Sequence, residues 1–130
     1  MVKRTAVHGL YIKDKSLLMV RKGKYWILPG GKILDGESDE DCLIRETSEE
    51  LSGTKIFVGQ YYKTFKGITP HSKINLISKN YFFYPLGEIH EPSNEINRKK
   101  FISSIDIPNL ELTGVSKKVL DSLLERGIIN

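Results

Sequence analysis

The chain has 130 residues, enough for one domain with a real core and too few for two of ordinary size. Hydrophobic residues make up 39% and charged residues 28%, which sets disorder aside, and no apolar run approaches the roughly 20 residues that span a bilayer. A net charge of +4 with pI near 9.1 favours anionic partners, phosphates and nucleic acids among them, and serves ordinary surface solubility equally well.

One cysteine, Cys42, excludes an internal disulfide and a cysteine-based zinc site. The three histidines, His8, His71 and His90, lack metal-ligand spacing, so a bound metal is expected to be held by oxygen. The N-terminus shows no apolar stretch followed by a small-residue cleavage site, and a cytoplasmic protein is expected.

In chain order, residues 5–12 and 16–21 read as two strands joined by a hairpin at Asp14 and Lys15. Leu28-Pro29-Gly30-Gly31 follows as a turn that permits close approach. A helix is expected from about Ser38 to Leu51, with Ser38 and Asp41 as an acidic variant of the capping box and Ser52-Gly53 as the stop. Residues 54–65 and 73–84, rich in β-branched and aromatic types, read as longer strands around a turn at 66–70. A short strand is expected near Phe101 to Ser103, and the basic cluster Arg98-Lys99-Lys100 reads as a solvated face or loop. Val115, Val119, Leu120, Leu123 and Leu124 fall on one stripe of a last helix that Gly127 ends. This order gives a mixed α/β domain rather than a regular βαβ repeat, and no domain boundary is visible within residues 1–130.

On a helical wheel at about 100° per residue, Glu46, Glu49 and Glu50 share one narrow face, with Ile44, Thr47 and Leu51 towards a core. Glu46 and Glu50, at i and i+4, repel each other, and a cation between them reverses the sign. Three carboxylates within side-chain reach suit Mg²⁺ or Mn²⁺, which bridge protein carboxylates to substrate phosphates. Arg45 lies four residues before Glu49 and can fork onto a carboxylate, fixing its rotamer and keeping it ionised. An acidic helix face alone more often means a solvated surface.

The upstream residues change that balance. Gly31, Glu37, Arg45, Glu46, Glu49 and Glu50 give the spacing G-x5-E-x7-R-E-x2-E-E, which resembles the Nudix box, here about residues 31–53. The approach Trp26-Ile27-Leu28-Pro29-Gly30 is similar to the family's own. Two positions depart from its pattern: Thr47 replaces a bulky apolar residue, and Ser52-Gly53 looks like a one-residue extension of the helix with Gly53 as its left-handed cap.

The resemblance implies the Nudix fold, a mixed β-sheet packed between helices, and hydrolysis of a diphosphate bond by water with Mg²⁺ or Mn²⁺. It implies Glu46, Glu49, Glu50 and the Gly30 carbonyl as metal ligands, with Glu46 also a candidate to position or deprotonate the water. Glu37 would orient the helix face from outside the metal, and Arg45 would be structural and electrostatic. A further acid from a later loop is expected. Glu95 fits best, with Glu88, Glu91 and Asp106 as rivals. By position, Lys32 and Arg21 are candidate phosphate contacts, with Lys22 and Lys24 beside them. Trp26 is a candidate for stacking on a nucleobase, against the alternative that it is core. Alternation sends the aromatics of residues 61–65 and 81–84 to both sheet faces, Pro70 discriminates nothing, and His71 could touch substrate. Cys42 reads as a small buried residue.

The implied substrate is a nucleoside diphosphate linked to another group: a nucleoside triphosphate, an ADP-ribose or a dinucleoside polyphosphate. The alternative is a non-catalytic nucleotide-binding or regulatory domain, against which all the box carboxylates stand. An RNA-directed activity would need an added basic and aromatic surface that the sequence does not display, so nucleic acid is not the expected partner. Neither is a membrane, and a homodimer is compatible with the family.

Overall fold

The elements run β1 (Lys3–Leu10), β2 (Ile12–Lys13), β3 (Ser16–Lys22), β4 (Tyr25–Ile27), β5 (Gly30–Lys32), α1 (Asp39–Glu50), β6 (Ile56–Ile68), β7 (Asn75–Pro85), β8 (Ile96–Ile102) and α2 (Gly114–Glu125), with a 3₁₀ turn at Ile107–Asn109. The computed structural model describes residues 3–70 and 72–130, so the expectation for His71 lies outside the described residues.

A first sheet has the order β5-β1-β7-β6, with β1 parallel to β7 and the other pairings antiparallel. In a second, β3 pairs antiparallel with β2, β4 and β8. The expected strand 5–12 therefore divides at Tyr11, with β1 in the first sheet and β2 in the second. Asp14 and Lys15 both have positive φ, 50° and 57°, as a two-residue hairpin requires to match strand twist.

Alternation along β3 separates two cores. Leu17 and Met19 join α2 residues Val115, Val119, Leu120 and Leu123, while Leu18 and Val20 join Cys42 and Leu43 of α1 together with Leu51. Phe82 and Phe83 of β7 divide in the same way. Strand layers thus lie between the two helices, the mixed α/β architecture expected. The α2 stripe is buried at Val115, Val119, Leu120 and Leu123, with Leu124 packed at its edge, and Gly127 follows the helix at φ 68°.

Other expectations are corrected. β5, only three residues long, takes Gly30 and Gly31 out of what reads as a turn, because a segment this short carries no periodicity, and β4 leads into the turn at Leu28 and Pro29. β6 continues to Ile68, past the expected start of the turn, and Thr69 bonds Ile74 in both directions before β7 begins at Asn75. β8 begins at Ile96 and takes in the basic cluster. There the Arg98 guanidinium lies 5.6 Å from the Trp26 ring centroid, Lys99 Nζ donates to the carbonyls of Ile89 and His90, and Lys100 pairs with Asp106 at 3.1 Å. On α1 the buried face is Cys42, Leu43 and Thr47, while Ile44 is 37% exposed.

Candidate active site

α1 starts where its sequence places it. Ser38 Oγ accepts the Asp41 N–H at 3.0 Å, and Asp39, Glu40 and Asp41 put negative charge on the first turn, where the helix dipole favours it. Asp39 is tied to β7 through Lys79 Nζ at 3.3 Å and the Tyr81 hydroxyl at 2.6 Å. Burial, then the Asp39 bond, pushes that hydroxyl up to about 12.

The glycines bring backbone and helix together. Gly30 has φ +129°, and a Cβ there would stand 2.1 Å from the Val7 carbonyl oxygen. A Cβ on Gly31 would stand 2.6 Å from the Glu46 carboxyl carbon. The Gly30 N–H donates to Glu50 Oε1 at 2.9 Å.

Arg45 organises the acids. Its Nε and Nη2 fork onto Glu37 at 2.7 and 3.1 Å, Nη1 reaches Glu46 at 2.9 Å and Glu49 at 3.5 Å, and Nη2 also donates to the Lys32 carbonyl at 3.1 Å. The Arg45 bonds, with the Leu34 N–H at 3.0 Å, hold Glu37 down at about 2. Arg45 itself is raised, first by Glu37. Burial pushes Glu50 up to about 8, the Gly30 N–H opposing and Glu46 adding to the rise. Burial also pushes the Cys42 thiol up to about 11.

The helix ends at Leu51, with Ser52 and Gly53 both at positive φ, 47° and 79°. Its last carbonyls are taken by a distant loop. Ser93 Oγ and Asn94 Nδ2 donate to the Glu49 carbonyl, the Ser93 N–H donates to the Glu50 carbonyl at 2.9 Å, and the Ser52 N–H donates to Ser93 Oγ at 2.9 Å. That loop leads directly to Glu95.

Glu46, Glu49, Glu50 and Glu95 line one cleft of about 930 Å³ with Gly30, Gly31, Lys32 and Lys22. Glu95 pairs with Lys22 at 2.7 Å, and this bond lowers its pKa. Its rivals lie elsewhere: Glu91 pairs with Lys99, Asp106 with Lys100, and Glu88 lines a separate hollow. Of the expected phosphate contacts, Lys32 lines the cleft and Arg21 does not; its neighbour Lys22 does. Trp26 is 5% exposed and packed in the core beneath Arg98, where it cannot stack on a base without leaving that core. Arg4, His8, Asn94 and Ser116 also line the cleft, and no local sequence signal marks them.

As the side chains stand, no three acidic, histidine or cysteine groups among the described residues close on one point. Each carboxylate is engaged separately, Glu46 with Arg45, Glu50 with the Gly30 N–H and Glu95 with Lys22. The donor set is nonetheless hard oxygen along one wall, and Gly31 leaves the space that the Glu46 carboxylate takes. The residues fit a divalent cation reached by side-chain rotation.

A family model described as the NUDIX domain matches residues 2–123, and the chain belongs to the Nudix family. It is a pyrophosphohydrolase of the Nudix type, in a family that acts on nucleotide-type substrates and generally requires a divalent metal. No curated protein matches it. Among solved structures it is similar to a MutT protein from Methanosarcina mazei Go1 (TM-score 0.76, 19% identity, 97% of this chain and 95% of that one). It is similar also to an ADP-ribose pyrophosphatase from Streptococcus suis 89-1591 (0.69, 19%, 95% and 91%) and to a UDP-X diphosphatase (0.74, 21%, 98% and 64%). At these identities the likeness concerns the fold. No helix of the described residues is long and apolar enough to cross a membrane.

Proposed function

We propose that the protein hydrolyses the diphosphate bridge of a nucleoside diphosphate linked to another group, using Mg²⁺ or Mn²⁺. The observation that carries this reading is the cleft itself, which four carboxylates and two lysines line beside a glycine turn. Glu46, Glu49 and Glu50 would hold the metal, with the Gly30 carbonyl and Glu95 completing the oxygen set. When bound, such an ion offsets charge on the phosphate oxygens and lowers the pKa of water. Glu46 packs against Gly31, where no side chain intervenes, and would orient the attacking water or take its proton. Arg45 and Glu37 position that carboxylate without touching substrate, and Lys32 and Lys22 offer cations to the phosphates. Two of the similar structures are named for different substrates, UDP-X and ADP-ribose, at similar likeness, so the attached group is a matter for assay.

The test is a panel of nucleoside triphosphates, ADP-ribose and dinucleoside polyphosphates, scored for Mg²⁺-dependent release of phosphate or nucleoside monophosphate. Glu49→Gln and Glu50→Gln are expected to lose roughly a hundredfold or more in kcat. No turnover on any member, together with no Mg²⁺-induced rise in Tm, would return the chain to the non-catalytic reading.

A further inference from the structure

His8 sits on the cleft wall, in a place that the hydrolytic machinery does not use. On β1 it pairs with Gly30 of β5 on one side and Asn80 of β7 on the other. The Gly30 N–H holds Glu50, so His8 stands where the β1 wall meets the carboxylates. Its Nδ1 lies 2.6 Å from Ser78 Oγ, and its Nε2 has no partner among the described residues.

The hydrogen-bond inventory fixes the imidazole proton. Ser78 and Asn80 are fully buried, so the Ser78 hydroxyl proton needs an acceptor inside the protein. Ser78 Oγ has two polar contacts, His8 Nδ1 and Asn80 Nδ2 at 3.1 Å. Asn80 Nδ2 also faces the carbonyls of Lys63 and Ser78, at 3.2 and 3.0 Å, which assigns it as the amide nitrogen, a donor only. The Ser78 hydroxyl therefore donates to His8 Nδ1. An imidazole that accepts at Nδ1 is neutral and carries its hydrogen on Nε2, the nitrogen left for the cleft.

We propose that His8 contacts substrate, its Nε2–H donating a hydrogen bond to a substrate oxygen beside the diphosphate, and that Ser78 sets the tautomer that makes this possible. The inference rests on the hydrolase reading above. A non-bridging phosphate oxygen and a ribose or base oxygen offer the same acceptor chemistry.

Long-range ¹H–¹⁵N NMR of the histidine rings tests it. In the wild-type protein without ligand, His8 should show a protonated Nε2 and a bare Nδ1, and Ser78→Ala should give a mixture of tautomers. Adding Mg²⁺ with α,β-methylene-ADP should move the His8 Nε2–H signal and leave His90 in place. Methylenediphosphonate in place of the nucleotide separates the sources: a response to both ligands assigns a phosphate oxygen, and a response to the nucleotide alone assigns a sugar or base oxygen.

Kinetics supply the second arm. In His8→Asn the side-chain oxygen replaces Nδ1, keeping the Ser78 bond while the cleft donor is lost. KM should rise about tenfold with kcat within about twofold, as for a hydrogen bond made equally in ground and transition states. His8→Gln, whose amide nitrogen reaches the Nε2 position, should recover most of the loss. Protonated Nδ1 in the wild-type protein, an unmoved His8 signal with the analogue bound, or a wild-type KM in His8→Asn overturns the proposal alone. Absence of analogue binding together with absence of hydrolysis overturns the hydrolase reading and this contact with it.

Discussion

Arg45 is where the acidic cleft is held in order at the scale of single residues. Its fork onto Glu37 uses two donors, and the remaining contacts reach Glu46, Glu49 and the Lys32 carbonyl. A lysine ammonium cannot present that planar set, so Arg45→Lys should lower kcat by roughly ten- to a hundredfold while leaving the fold intact by circular dichroism. An unchanged kcat would remove Arg45 from its positioning role. Glu37 gives a pH test of the same pair. Its folded pKa of about 2 lies below the ordinary value of 4.5, so its contribution to stability is present above pH 4.5 and lost as pH falls towards 2. The stability difference between wild type and Glu37→Gln should shrink across that window in urea titrations, and a constant difference would contradict the bond. Much of this constellation was legible because Arg45, Glu46, Glu49 and Glu50 belong to one helix, where spacing fixes direction. The tautomer of His8 was not, since it depends on Ser78 and Asn80, some seventy positions away.

At the scale of elements, what holds the site together is the end of α1 rather than its beginning. Helix C-termini leave orphan carbonyls, and here Ser93 and Asn94 supply the donors. Ser93 both accepts from the Ser52 N–H and donates to the Glu49 carbonyl, so one side chain ties the helix end to the strand that follows Glu95. Ser93→Ala should cost about 1 kcal/mol of stability, read by urea denaturation. It should also weaken Mg²⁺ binding by loosening Glu95, and loss of stability with unchanged Mg²⁺ affinity would separate the cap from the site. The sequence marks the Ser38 start through local capping chemistry, and Ser52-Gly53 as a stop. It does not show which donors satisfy the stop, because those bonds span about forty residues and leave no period to read. The same reason hides β5, whose partner β1 lies far back in the chain and whose three residues are too few to alternate.

For the whole molecule, the strand layers divide the interior into one core under α1 and one under α2, and only the first supports the carboxylate helix directly. The α2 stripe was legible from its spacing, whereas the unbroken apolar run 17–20 of β3 does not by itself divide into two cores. Their functional inequality follows only from seeing which helix carries the acids. Leu43 and Leu123 are each fully buried, one in each core. Truncating either leaves a cavity, and each alanine variant should lose about 3 kcal/mol. The consequences for catalysis should differ. A void beneath Leu43 lets α1 settle towards β1, where Leu43 already packs beside Gly9 and Phe83, and shifts Glu46, Glu49 and Glu50 together. Displacements near an ångström at a reacting centre cost large factors in rate. Leu123 lies near the other end of α2 from the cleft-lining Val115 and Ser116, so its void leaves the carboxylates in place. Assayed well below both melting temperatures, Leu43→Ala should therefore lose at least roughly tenfold more kcat than Leu123→Ala despite similar stability loss. Equal activity losses at equal stability would mean that the site answers to the stability of the whole domain rather than to the seating of α1.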